Sequence, residues 1–101
     1  MEPHVCISEG GRDGEVIYRD AFGEQTFYWE IGGGDVVAIV HVGTEAEWRV
    51  KALSTADRRP EILRFVASEV VRQKSPSCRA DIDDHAGLNY LRDGAAGNQS
   101  P

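Results

Sequence analysis

The segment from residue 54 to residue 74, STADRRPEILRFVASEVVRQK, constrains the fold of this chain more than any other part of the sequence. Its apolar residues recur every three or four positions, which predicts an amphipathic helix over about residues 57–74. The apolar stripe consists of Ile62, Leu63, Val66, Ala67, Val70 and Val71, with Phe65 at its margin. Because the rest of the chain has no long helical pattern, this stripe must be buried against a sheet made from the remaining segments.

The start of this helix carries its own signals. Ser54 and Asp57 fit the pattern in which a hydroxyl and a carboxylate satisfy free amides at a helix start, although Asp57 is itself a competing cap. Pro60 agrees with either choice, because proline lacks a backbone donor and is harmless only in the first turn. The helix is therefore expected to begin shortly before Pro60 and to end at Ser75.

The other segments predict strands. Alternation of apolar and polar residues indicates strands over residues 4–8, 15–20, 26–31 and 47–51, and residues 78–82 and 87–91 predict a closing hairpin. Residues 36–42 are apolar on nearly both faces, which is typical of a central strand that a helix covers on one side. The expected fold class is therefore α+β: an antiparallel sheet of about five to seven strands with one helix on one face, in the order βββββαββ.

A chain of 101 residues is long enough for a single domain, which we expect over residues 4–92. Residues 93–101 have nothing apolar to bury and are expected to form a disordered tail. The longest apolar run, residues 36–40, is far shorter than the about 20 residues that cross a bilayer. The amino terminus lacks the apolar core of a secretory signal, so we expect a cytoplasmic protein with Cys6 and Cys78 as separate thiols.

Negative charge is concentrated in the first half of the chain. Residues 1–47 contain ten acidic residues and two arginines, whereas residues 48–101 contain nine basic and seven acidic residues. An acidic surface repels the phosphates of nucleic acids and attracts basic proteins, so we expect a protein partner and no nucleic-acid ligand. The simpler interpretation, that the acidic excess only keeps the protein soluble, stays open at this point.

No pattern of catalytic or metal-binding residues stands out. Residues 81–85, DIDDH, contain cation ligands but lack the spacing of a known calcium loop, and the glycines at 32–34 precede a strand where a phosphate loop would precede a helix. A nucleophilic pair of Cys6 and His41 across neighbouring strands lacks any supporting motif. We therefore predict no catalytic residue, no metal site and no cofactor, and expect that the protein is not an enzyme.

The aromatic residues provide a better indication of a binding surface. On the strand at residues 26–31, Tyr28 lies opposite Phe27 and Trp29, and one helix cannot cover both faces of a sheet. Either Tyr18, Trp29 and Trp48, or Tyr28 with its neighbours, would then be exposed, unless the sheet curls around its own core and buries them all. Exposed aromatic residues often dominate the energy of protein interfaces.

Several of these features occur together in one known family. The sequence IYRD at residues 17–20, a β-rich middle, a tryptophan at position 48 and the helix segment RRPEILRFVASEV at residues 58–70 resemble the small immunity proteins of bacterial polymorphic toxin systems, above all the family immunity protein 74. The prolines expected after the tryptophan are absent between Trp48 and Asp57. The resemblance implies a cytoplasmic protein without catalysis that protects its own cell by binding a toxin domain.

These observations lead to a binding hypothesis and two alternatives. The predicted partner is a basic protein such as a toxin domain, steered by carboxylates and held by two aromatic anchors; the predicted contact residues are Glu15, Glu24, Tyr28, Glu30, Glu45, Glu47 and Trp48. One alternative is a small-molecule binder with a pocket between helix and sheet near His41 and Cys6. The other is a homodimer that pairs through an exposed strand edge or a patch of rings. The sequence leaves open whether the chain is a monomer or a homodimer, and it predicts no membrane partner.

Overall fold

The computed structural model of the chain describes residues 2–51 and 53–93, without the side chains of residues 53–55 and 93. The elements in chain order are β1 (His4–Glu9), β2 (Asp13–Asp20), β3 (Gly23–Ile31), β4 (Val36–His41), α1 (Glu45–Lys51), a 3-10 helix (Leu53–Arg58), α2 (Arg59–Lys74), β5 (Cys78–Asp83) and β6 (Leu88–Asp93). The predicted α+β class, with an antiparallel sheet and one long helix, is confirmed.

The strands of this sheet lie in the order β1-β2-β3-β4-β6-β5, and every neighbouring pair is antiparallel. The first four strands form a meander, and after the helices the hairpin of β5 and β6 places β6 beside β4. The predicted central position of the segment at residues 36–42 is confirmed, because β4 has strands on both sides. A register shift between Val36 and Ala38 interrupts its pairing with β6.

The predicted apolar stripe on α2 is the face that packs on the sheet. Ile62, Leu63, Val66, Ala67 and Val70 are buried, whereas Arg64 and Ser68 between them are exposed. They join a core that also contains Val16 from β2, Phe27 from β3, Val40 from β4 and Leu91 from β6. Burial of each large aliphatic side chain contributes about 1.5–3 kcal/mol to stability. Because α2 buries several of them against the sheet, its packing is a major source of the stability of the fold.

The predicted fifth strand over residues 47–51 is wrong, because this segment belongs to the helix α1. Thr44 and Glu47 cap its start reciprocally: the Glu47 amide donates to Thr44 Oγ1 at 3.2 Å, and the Thr44 amide donates to Glu47 Oε1 at 2.8 Å. In a helix, residues two apart point to nearly opposite sides. Trp48 is accordingly buried, whereas Val50, which a strand would place on the same face, is exposed.

The start of α2 also differs from the sequence prediction. The helix begins at Arg59 with Pro60 in its first turn, as the proline requires, but Arg58 is the N-cap and makes no side-chain cap hydrogen bond. Asp57 is therefore not the cap, and the side chain of Ser54 lies outside the described part of the chain. The predicted tail lies outside it as well from residue 94 onward, while Asp93 pairs with Cys78 at the end of β6.

A buried hydrogen-bond network ties the turn between β2 and β3 to the start of α2. Asp20 is buried and accepts hydrogen bonds from the Tyr18 hydroxyl at 2.6 Å, the Phe22 amide at 2.8 Å and the Arg58 guanidinium at 3.1 Å. The hydrogen bond from Tyr18, with those from Phe22 and Arg58, lowers the pKa of Asp20 against the opposing effect of burial. Burial and the same Asp20 contact raise the pKa of Tyr18.

This network predicts acid-dependent stability. Because the native pKa of Asp20 lies below its unfolded value of about 3.9, its stabilisation is complete above that value and is lost as the pH falls through the native pKa. We expect the variant Asp20→Asn to be less stable than the parent at pH 7, and the difference to shrink as the pH falls through the native pKa of Asp20. Urea unfolding at several pH values measures this, with the exposed Asp57→Asn as control; a difference that stays constant with pH would contradict the assignment.

Candidate functional site

One face of the sheet is left uncovered by the described residues. Directly opposite residues of an antiparallel pair lie on the same face, so the register of the six strands assigns the paired residues outside the shift in β4 either to the side of α2 or to the other side. We call the side away from α2 the outer face. It includes six carboxylates, three arginines and a central apolar group: Asp13, Glu15, Glu24, Glu30, Asp81 and Asp83; Arg19, Arg79 and Arg92; Ile17, Tyr28, Ile39, Leu88 and Tyr90.

Tyr28 lies at the centre of the outer face. Its neighbours in the register are Glu15 on β2 and His41 on β4, and the residue is 46% exposed. The Tyr28 hydroxyl donates to Asp13 Oδ2 at 3.0 Å, and this hydrogen bond raises the pKa of the phenol. The ring of His41 lies 5.4 Å from that of Tyr28, measured between centroids. Tyr28 is thus a large, oriented ring that is available to a partner and surrounded by carboxylates.

The carboxylates of this face differ in how far they are neutralised. Glu24 pairs with Arg19 at 2.6 Å, Asp81 with Arg92 at 2.8 Å, and Glu30 lies 2.6 Å from Nε2 of His41. Glu15 forms no ion pair with any residue that the structure describes. The outer face therefore keeps a net negative charge beside Tyr28, which is the electrostatic condition for attracting a basic surface.

The structure brings together four of the seven predicted contact residues. Glu15, Glu24, Tyr28 and Glu30 share the outer face. Glu45 and Glu47 lie on α1 at one end of the sheet, where Glu45 pairs with Arg49 and Glu47 caps the helix. The amide of Thr44 lowers the pKa of Glu47, so this carboxylate stabilises the helix as a charged cap.

The prediction that Trp48 serves as a surface anchor is wrong. The residue is only 4% exposed, and its ring stacks on Phe27 with 6.0 Å between centroids. Its indole nitrogen donates to the carbonyl of Val42 at 2.6 Å. Trp48 therefore fixes α1 to the sheet, because a buried indole needs both an apolar contact and a hydrogen-bond acceptor.

The sequence analysis did not predict the buried contacts by which Arg59, at the start of α2, binds the segments that contain Gly43 and Asp84. Arg59 is 2% exposed; it donates to Asp84 Oδ1 and to the carbonyl of Gly43, both at 2.7 Å. Gly87 also contacts Gly43, since its carbonyl accepts hydrogen bonds from the amides of Val42 and Gly43. An arginine in the first turn of a helix gives no sequence signal of burial, so only the tertiary contacts reveal this role.

The pocket predicted between helix and sheet near Cys6 and His41 is not formed. Both residues lie on the outer face, and β1 and β4 are separated by two strands, which places them about 14 Å apart. A nucleophilic pair of these residues is therefore excluded in this fold. His41 instead lines a pocket of about 460 Å³ beside Trp48 and Gly87.

A second cleft, of about 330 Å³, lies between the C-terminal end of α2 and the sheet. Its walls are mostly apolar and include Trp29, Val40 and Val70, and the ion pair of Lys74 with Glu9 lies at its edge. In the part of the chain that is described, no three side chains of the metal-binding types converge. Neither α-helix within that part has the length and apolar run needed to cross a membrane.

Fold and outer face together define an α+β fold in which the described residues cover the sheet with a helix on one side only. Comparison of the chain with protein-family models, with curated proteins and with solved structures gives no match. The resemblance to immunity protein 74 therefore stays a prediction.

Proposed function

We propose that the chain is a protein-binding module and that it acts as an immunity protein, neutralising a cognate bacterial toxin by binding a basic domain of that toxin. The observation that carries the proposal is the outer face, where the half-exposed ring of Tyr28 is surrounded by carboxylates with excess negative charge. Protein interfaces are commonly built from an aromatic anchor with a polar rim. The proposal assigns no catalytic residue and no cofactor.

Charge and ring have different roles in this proposal. Glu15 and Glu30 flank Tyr28 on the outer face and would accelerate encounter with a basic partner, because long-range attraction raises association rates. Tyr28 would slow dissociation, because a buried aromatic ring contributes mainly to the lifetime of a complex. A toxin that holds phosphates needs a basic cleft, and an acidic face placed over such a cleft would block it.

The biological role is tested by co-expression with the polypeptide encoded directly upstream of this gene. If that polypeptide arrests growth of the host bacterium, we expect this chain to restore growth and to co-purify with it. Arrested growth that this chain does not relieve, or a polypeptide that does not arrest growth, would contradict the immunity role.

For a partner identified in this way, reversing charge on the outer face is expected to slow binding. The double variant Glu15→Lys and Glu30→Lys should lower the association rate constant at low salt by about tenfold or more. The matched control reverses two exposed carboxylates on the other side of the molecule, Asp57→Lys and Glu61→Lys. Stopped-flow or surface-based kinetics provide the rates; an equal effect of both double variants would mean that the outer face is not the binding surface.

A further inference from the structure

The two edges of the sheet differ in how they are protected. At β1, the side-chain amide of Gln73 donates to the carbonyl of Val5 at 2.9 Å, and Lys74 pairs with Glu9, so α2 secures this edge. β5 pairs with β6 on one side, and within the described residues no strand pairs with its other side. Such an edge carries a row of unpaired amide and carbonyl groups and can accept a further strand.

The side chains of β5 alternate in a way that restricts which strand fits. Arg79 and Asp81 point to the outer face, while Cys78, Ala80 and Ile82 point to the side of α2. Ile82 is exposed, and a groove of about 360 Å³ lies between β5 and α2 beside it. The strand therefore offers Arg79, Asp81 and Asp83 on one face and small or apolar residues on the other.

A second copy of the same strand matches this pattern in one register without placing like charges opposite each other. Two copies that pair antiparallel are related by a twofold axis perpendicular to the sheet, so the residue on the axis faces itself and both α2 helices lie on the same side. Only two registers keep nearly the whole strand paired, one centred on Ala80 and one centred on Asp81. The register on Asp81 also places Arg79 of each copy opposite Asp83 of the other, but it sets the two Asp81 carboxylates directly against each other, which is unfavourable.

The register on Ala80 sets opposite charges against each other twice. Arg79 of each copy faces Asp81 of the other, Cys78 faces Ile82, and the small Ala80 side chains meet on the axis. Within one chain, Arg92 binds Asp81 at 2.8 Å, whereas Arg79 lies 3.7 Å from the same carboxylate. Arg79 therefore makes the weaker ion pair of the two arginines. Exposed Ile82 would then lie against the second copy.

We propose that the chain forms a twofold homodimer by pairing its β5 edges antiparallel, centred on Ala80, so that the two sheets become one. This interface does not depend on the proposed toxin-binding role, because it leaves Glu15 and Tyr28 in the middle of each outer face free. The sheet would then offer two copies of the acidic face on the same side.

The dimer and its charge pairs are tested by sedimentation of the purified chain over a range of micromolar concentrations. We expect a dimer that Arg79→Asp weakens by about tenfold or more in dissociation constant, because aspartate would then face Asp81. The control Arg12→Asp makes the same charge change at the turn after β1 and should leave the constant unchanged. A parent chain that is monomeric throughout, or equal effects of the two variants, overturns the proposal.

Cross-linking tests the register without disturbing the charges. In a background of Cys6→Ser and Cys78→Ser, a cysteine at position 80 lies opposite its own copy, within reach of a short thiol cross-linker. Ala80→Cys should therefore give a covalent dimer, whereas Ile82→Cys, which faces position 78 of the other copy, should not. Failure of Ala80→Cys to cross-link, or cross-linking of both variants alike, overturns the proposed pairing.

Discussion

The variant Asp84→Ala is expected to destabilise the domain by about 3–5 kcal/mol, although Asp84 itself lies at the surface. Its side chain is 70% exposed, but its partner Arg59 is almost completely buried. Without the carboxylate, the guanidinium would keep the carbonyl of Gly43 as acceptor and would lack a compensating charge. A charge left unpaired in the interior costs far more than the loss of a surface ion pair. Chemical denaturation measures the change in the free energy of unfolding.

Asp35 provides a matched control for this effect. It is 74% exposed and accepts a hydrogen bond from Arg92 at 3.0 Å, but Arg92 is itself partly exposed and also binds Asp81. Asp35→Ala should therefore cost less than about 1 kcal/mol. The double variant Arg59→Met and Asp84→Ala should be more stable than Asp84→Ala alone, because it removes the buried charge. Equal losses for Asp35→Ala and Asp84→Ala would show that burial of Arg59 does not determine the effect.

The variant Gly87→Ala is expected to destabilise the domain by about 3 kcal/mol or more and to lower Tm by roughly 15 °C. Gly87 has a φ of 70°, and a Cβ atom there would lie 2.5 Å from the carbonyl carbon of Gly43. Alanine at position 87 would thus be strained in its own backbone conformation and would also clash with the backbone of Gly43. That backbone cannot move without breaking the hydrogen bond from Arg59 to the Gly43 carbonyl. Thermal unfolding followed by circular dichroism gives the change in Tm.

Two other glycines separate the cost of the backbone conformation from the cost of the steric clash. Gly34 has a φ of 62°, but a Cβ atom at this position would have no described atom within 4 Å, so Gly34→Ala should show the conformational cost alone, about 1–2 kcal/mol. Gly33 also has free space and does not have a positive φ, so Gly33→Ala should be nearly neutral. If Gly87→Ala were no worse than Gly34→Ala, the close approach of Gly87 to Gly43 would not limit stability.

Most of the fold could be predicted from local patterns, since the period of the apolar residues determines the type of a long element. The segment at residues 47–51 shows where this fails. Trp48 and Val50 alternate with charged residues as in a strand, but the capping pair of Thr44 and Glu47 fixes a helix. So short a segment is compatible with the period of a strand and with that of a helix, and the capping hydrogen bonds decide between the two.

The candidate site could be predicted only in part, because the sequence does not say which face of the sheet the helix covers. Tyr18 and Tyr28 lie on opposite faces, and both are large rings suited to either environment. The packing of α2 on Val16 and Phe27 buries Tyr18 and leaves Tyr28 exposed. The burial of Arg59 could not be predicted either, because it depends on contacts with Gly43 and Asp84, which are distant in sequence.

The position of β6 has a consequence for how the protein is made. This strand is the last of the six along the described chain, yet it lies between β4 and β5 in the sheet. During synthesis β4 therefore has an open side until residues 88–93 leave the ribosome, and the apolar surface under α2 stays incomplete until then. Non-local pairing of this kind slows folding and exposes nascent chains to aggregation. Truncation before residue 88 should consequently yield a chain that chaperones retain.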